Sequence, residues 1–151
     1  MHDLLWDELE PDDLPGDLAE IARALDMDAA RYFVERWSGV KIYVQRYAWE
    51  VLHYRTQIRT GDLPPMLDEI YRDRGLDQTK AFVRRFASEF VYVPTPRSVA
   101  REWKRSRVLR EYDGTNEGPL AAKYDVSRAW IHRALKAAGK TRQNVQGDLF
   151  S

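Results

Sequence analysis

The chain has 151 residues, 44% of them hydrophobic, with no cysteine and a formal net charge of zero from 24 basic and 24 acidic side chains. That length holds one or two small domains with real cores, and the lack of cysteine excludes disulfides and thiolate metal sites. No apolar run approaches the length of a bilayer span and the N-terminus is acidic, unlike a signal peptide, so a soluble cytoplasmic protein without a membrane partner is expected.

Residues 1–16 read as an acidic, disordered tail. Asp3, Asp7, Glu8, Glu10, Asp12, Asp13 and Asp17 lack the regular turn glycine of a calcium loop, which favours a solubilising segment over a metal site. From residue 13 the chain repeats itself: 13–45 align without a gap with 62–94, an offset of 49, and 13 of the 33 pairs are identical. Among them are Asp13/Asp62, Leu18/Leu67, Ile21/Ile70, Phe33/Phe82, Val34/Val83, Arg36/Arg85 and Tyr43/Tyr92.

Each copy predicts two helices and a strand. In the first, Leu18, Ile21, Ala22 and Leu25 form one helical stripe, and Ala30, Phe33, Val34 and Trp37 form another behind an Asp26 or Asp28 cap. Gly39 ends the second helix, and residues 40–44 alternate as a strand. The second copy offers Leu67, Ile70 and Tyr71, an Asp77 cap, then Phe82, Val83 and Phe86, and a strand near 90–93. Between the copies, Tyr47, Val51, Tyr54 and Ile58 describe a further helix closed by Gly61 and the prolines at 64 and 65. One unit alone leaves an open strand edge and apolar face. Residues 17–94 are therefore expected to form a duplicated, dimerisation-like domain, a pseudo-twofold body around a two-stranded antiparallel ribbon. An internally paired monomer and a homodimer pairing repeats between chains are both open readings.

Thr95 and Pro96 begin a helix running to about Tyr112. Its apolar residues change face, Val99, Ala100 and Trp103 lying together and Val108, Leu109 and Tyr112 roughly opposite, as in a helix that packs two bodies in succession. Asp113-Gly114-Thr115-Asn116 then turns the chain, with Asn116 as the next cap. From Glu117 to Leu135 the spacing is that of a helix-turn-helix: Leu120, Ala121 and Tyr124, a turn at Asp125, Val126 in the corner, a Ser127 cap, then Ile131 and Leu135. Charge follows this division. Residues 1–94 hold 12 basic and 18 acidic side chains, whereas 95–142 hold 12 basic and 5 acidic. A basic module joined to an acidic one is the electrostatic footprint of a DNA binder. Residues 95–140 are the expected DNA-binding domain and 141–151 a flexible tail.

These elements in this order, helix pair, strand ending in Tyr-Val-Pro, linking helix, Asp-Gly-Thr-Asn turn and Leu-Ala-Ala-Lys-Tyr-Asp-Val-Ser corner, resemble the Mor transcription activator family of phages and prophages. The resemblance covers 63 to about 138, and the repeat extends half of it back to 13. It implies a mainly α protein that binds double-stranded DNA sequence-specifically and activates phage or prophage genes with host RNA polymerase. It also implies a dimer, although this chain carries the dimerisation-like unit twice and the helix-turn-helix once.

Within the second helix, Arg128, His132 and Arg133 are expected at base edges, arginine being suited to bidentate contact with guanine. Trp130 would pack on a sugar or in an interdomain contact. Lys123, Lys136, Lys140 and Arg105 suit phosphates. Six to ten phosphate contacts would lower affinity by about a thousand-fold or more between 50 and 200 mM salt. Arg133→Ala should then relax sequence preference, and Lys140→Ala should weaken all sites alike.

Competing signals are fewer. Gln146, Leu149 and Phe150 of the C-terminal tail look like the short peptide by which bacterial proteins dock on the replication sliding clamp, which leaves a replication-associated protein or a phage DNA-binding adaptor as the alternative. His2, His53 and His132 have no ligand spacing, and no Gly-rich phosphate loop or catalytic set is present. Neither an enzyme nor a cofactor is expected.

Overall fold

Eight α-helices and one two-stranded antiparallel sheet form among residues 6–139, the residues that the computed structural model describes. The chain divides into two units between Val99 and Ala100. In the first, α1 (Gly16–Ala24), α2 (Met27–Trp37) and β1 (Lys41–Tyr43) are followed by α3 (Tyr47–Tyr54), then α4 (Pro65–Arg74), α5 (Leu76–Phe86) and β2 (Phe90–Tyr92). The bounds of α5 and β2 lie 49 positions beyond those of α2 and β1.

The apolar stripes face inward. Leu18 and Ile21 of α1, Phe33 and Val34 of α2, Leu67 and Ile70 of α4, and Phe82, Val83 and Phe86 of α5 are buried. The Phe33 and Phe82 rings meet at 4.9 Å between centroids. Across the ribbon Ile42 lies opposite Val91, both fully buried, while Lys41 faces Tyr92 and Tyr43 faces Phe90 on the exposed side. Two ion pairs run in opposite directions between the helix pairs, Arg36 to Glu69 at 2.6 Å and Arg85 to Glu20 at 3.4 Å. Half-exposed pairs of this kind contribute at most about 1 kcal/mol each, so they fix register while the phenylalanine core supplies the stability. Before each strand the backbone turns through positive φ at matching positions, Gly39 (74°) and Ser88 (67°).

Three expectations are corrected here. The segment after residue 5 is not a disordered acidic tail: 3-10 turns form at Trp6–Glu8 and Pro11–Asp13, and Leu9, Asp13 and Leu14 are buried. Asp13 acts as a turn residue, its carboxylate accepting from the Glu10 N–H at 3.0 Å. Asp62 does the same for the Arg59 N–H at 2.8 Å, so the recurrence reaches back beyond the aligned residues.

The helix between the copies is shorter than expected and differently phased. It buries Ala48, Val51 and Leu52 and leaves Tyr47 and Tyr54 exposed, because α3 packs on α5 and stops at Arg55, whose backbone is extended. The cap of α5 is Gly75 rather than Asp77. Gly75, at φ 88°, both ends α4 and starts α5, a conformation that favours glycine. Asp26, by contrast, caps α2 as its sequence suggests, accepting from the Ala29 N–H at 2.7 Å. It also receives the Gln78 amide at 2.9 Å.

The second unit takes in α6 (Pro96–Glu111) from Ala100 onward, then α7 (Glu117–Tyr124) and α8 (Arg128–Ala137). Val99 is buried and belongs to the first unit, whereas Trp103 packs against the core of the second, which parts the two members of the expected stripe. No helix among the described residues is long and apolar enough to cross a membrane.

Candidate nucleic-acid interface

α7 and α8 are joined by three residues. Asp125 takes the left-handed conformation at φ 53° and ψ 54°, which aspartate enters more readily than most residues. The Val126 N–H closes the corner on the Ala121 carbonyl at 3.0 Å, and Ser127 Oγ accepts from the Trp130 N–H at 3.0 Å, capping α8. Ser127→Ala should therefore cost about 0.5–2 kcal/mol, with Ser127→Asp retaining most of the stability, as read from urea midpoints.

Behind the corner lies one small core, with Val108 and Tyr112 from α6, Leu120 and Tyr124 from α7, and Ile131 and Leu135 from α8. Ala121, Val126, Trp103 and Trp130 pack against it. Trp130 is thus half-buried, with part of its ring against its own unit's core.

Two carboxylates tie the helices together. Glu111 accepts from Lys123 Nζ at 2.6 Å and from the Tyr124 hydroxyl. The Lys123 and Tyr124 donors hold Glu111 below the usual carboxylate range, and Glu111 holds Lys123 above the usual lysine value. Glu117 accepts from the Tyr112 hydroxyl at 3.3 Å and faces His132 Nε2 at 3.0 Å. Asn116 stands at the N-cap of α7 without a capping bond, because its side chain is used in the preceding turn: Oδ1 accepts from the Asp113 N–H and Nδ2 donates to the Glu111 carbonyl. Asp113 accepts in turn from Thr115 and Asn116, which lowers its pKa, the Thr115 backbone N–H foremost.

With Ile131, Ala134 and Leu135 buried, the 100° step of a helix turns Ala129, His132, Arg133 and Lys136 outward. Arg133 and Lys136 are exposed with no ionic partner among the described residues. Arg128 is exposed but leans toward α7: a Cβ on Gly118 would fall 2.8 Å from one of its guanidinium nitrogens, so the glycine leaves room for this side chain. Arg105 lies on α6 and pairs with Glu102 at 3.5 Å. Lys140, Gln146, Leu149 and Phe150 fall outside the described residues. Sequence reasoning missed Ala129, a small residue in the middle of the outward face, since only polar residues were sought there. It also missed Glu111 and Glu117, whose partners lie 12 to 15 residues away in the chain.

The second unit is thus a tightly braced set of short helices with unneutralised cations on one face of α8. The chain belongs to the Mor transcription activator family, whose model matches residues 51–149, about two thirds of its length. The match takes in α4, α5, β2, α6, α7 and α8, while α1, α2 and β1 precede it. No curated protein and no solved structure matches the chain.

Proposed function

We propose that the protein is a sequence-specific DNA-binding regulator in which α7 and α8 act as a helix-turn-helix and α8 enters the major groove. The observation that carries this reading is the outward face of α8, where Arg133 and Lys136 have no ionic partner among the described residues while the opposite face is locked into a core. Family membership supports activation. Within that reading, the genes it serves are phage or prophage genes, transcribed by host RNA polymerase in the cytoplasm. Residues 95–140 form the DNA-binding domain, and 17–94 form a duplicated body of dimerisation type.

The side chains divide by geometry. Arg133 and Ala129 face base edges, a methyl-bearing alanine suiting a thymine methyl and arginine a guanine, and His132 reaches them only by leaving Glu117, 3.0 Å away. Lys136, one turn further on, meets phosphate. Arg128 approaches the backbone beside α7. Lys123 and Arg105 are tied to Glu111 and Glu102, so they reach phosphates only by exchanging those partners.

The experiment is a binding titration on a duplex selected from a randomised pool and on a scrambled duplex. Arg133→Ala should cost about 1–3 kcal/mol on the selected duplex and little on the scrambled one, whereas Lys136→Ala should weaken both by the same factor. Equal behaviour of the two variants contradicts the assignment, and no affinity for any duplex at low salt contradicts the function.

A further inference from the structure

We infer that one chain is a complete pseudo-dimer with a single reading head, so that it engages an asymmetric duplex site alone and recruits no second copy. The part concerning DNA rests on the function proposed above, and the part concerning pairing does not.

A twofold interface has a recognisable signature: residues on the axis meet their own equivalents, and every off-axis contact occurs twice with its partners exchanged. Both features lie inside this chain at the 49-residue offset. Phe33 meets Phe82 and Ile42 meets Val91, each with its own equivalent. Arg36–Glu69 and Arg85–Glu20 are one contact made in both directions. The interface through which two copies of such a unit would associate is therefore already filled.

The connector reinforces the pairing. α3 follows β1 and packs on α5, burying Ala48, Val51 and Leu52, and the Arg84 guanidinium lies 5.2 Å from the centre of the Trp49 ring. Linking the copies through so short and anchored a segment gives an effective concentration on the order of mM, which a second chain does not match at ordinary protein concentrations. The strand edge is guarded too, since Asp17 accepts from the Tyr92 N–H at 3.0 Å.

The reading head, by contrast, is single. α3 occupies the place after β1 that α6 occupies after β2, but it runs only from Tyr47 to Tyr54 and gives way to the second copy with no equivalent of α7 and α8. The family match likewise spans one helix–helix–strand unit with its α7 and α8, leaving the first unit in excess. The extra copy supplies the partner surface without a second head.

The native chain has no cysteine, so an introduced pair reports cleanly. Lys41→Cys/Tyr92→Cys places two thiols directly opposite on the exposed face of the ribbon. On oxidation the expected product is a single-chain species at every protein concentration. A covalent two-chain band overturns internal pairing, and Tyr43→Cys/Phe90→Cys, the next exposed pair, repeats the test should the first variant not fold. On DNA, the motif selected from a randomised pool should lack inverted symmetry and take one chain per duplex by mass. A palindromic motif, or two chains arriving together, overturns the single-head assignment. If no duplex binds while the cross-link forms within one chain, the pairing stands and the DNA reading alone fails.

Discussion

Phe82→Ala should destabilise the first unit by about 3–5 kcal/mol, seen as a lower urea midpoint at unchanged slope. The ring is fully buried, 4.9 Å from Phe33 and 5.3 Å from Phe86 between centroids, so truncation removes transfer energy, aromatic contact and the filler of a closed space at once. Against a typical domain stability of about 5–15 kcal/mol, that is roughly a fifth of the total at the least. Phe33→Ala should cost a similar amount, since the two rings hold equivalent places in the two helix pairs. The double variant should lose less than the sum of the two, because the rings touch and their removal opens one shared cavity. Strictly additive losses would mean that the rings sit in separate environments, contrary to their tilted contact at 4.9 Å.

Much of this core was legible beforehand because it is written in local spacing. The stripes of α2 and α5 and the Asp26 and Ser127 caps follow from periodicity and cap chemistry within a few residues, and the antiparallel ribbon from the internal repeat. The features that escaped depend on remote partners. Tyr47 and Tyr54 looked like a buried stripe, yet it is contact with α5 that selects Ala48, Val51 and Leu52 instead. Asp13 looked like one more solvated acid in a charge run, and its burial depends on a turn whose counterpart lies at Asp62.

In the candidate site the same limit holds. The exposed face of α8 could be read from the stripe opposite it, but the neutralisation of Lys123 by Glu111, the approach of His132 to Glu117 and the seat of Arg128 beside Gly118 join segments brought together only by folding. Sequence alone divided these cations between base edges and phosphates by helix position, without reference to their carboxylate partners. Geometry separates those already matched to a carboxylate from Arg133 and Lys136, which are not.

That separation sets the size of the salt effect. If Lys123 and Arg105 stay with their carboxylates and each chain carries one reading head as proposed, about four to six phosphates should be contacted, fewer than the basic residue count suggests. The slope of log affinity against log salt should then lie near −4 to −5, and raising salt from 50 to 200 mM should weaken binding by roughly 10²- to 10³-fold. Lys136→Ala should flatten the slope by about 0.9, one phosphate's worth, whereas Glu111→Gln should leave it unchanged or steepen it by freeing Lys123 for the backbone. Fluorescence anisotropy on the selected duplex across that salt range measures all three. A slope of about −8 or steeper would require roughly twice the phosphates, as two heads on two half-sites would contact. It would count against a single chain acting alone even where the binding face of α8 is correctly assigned.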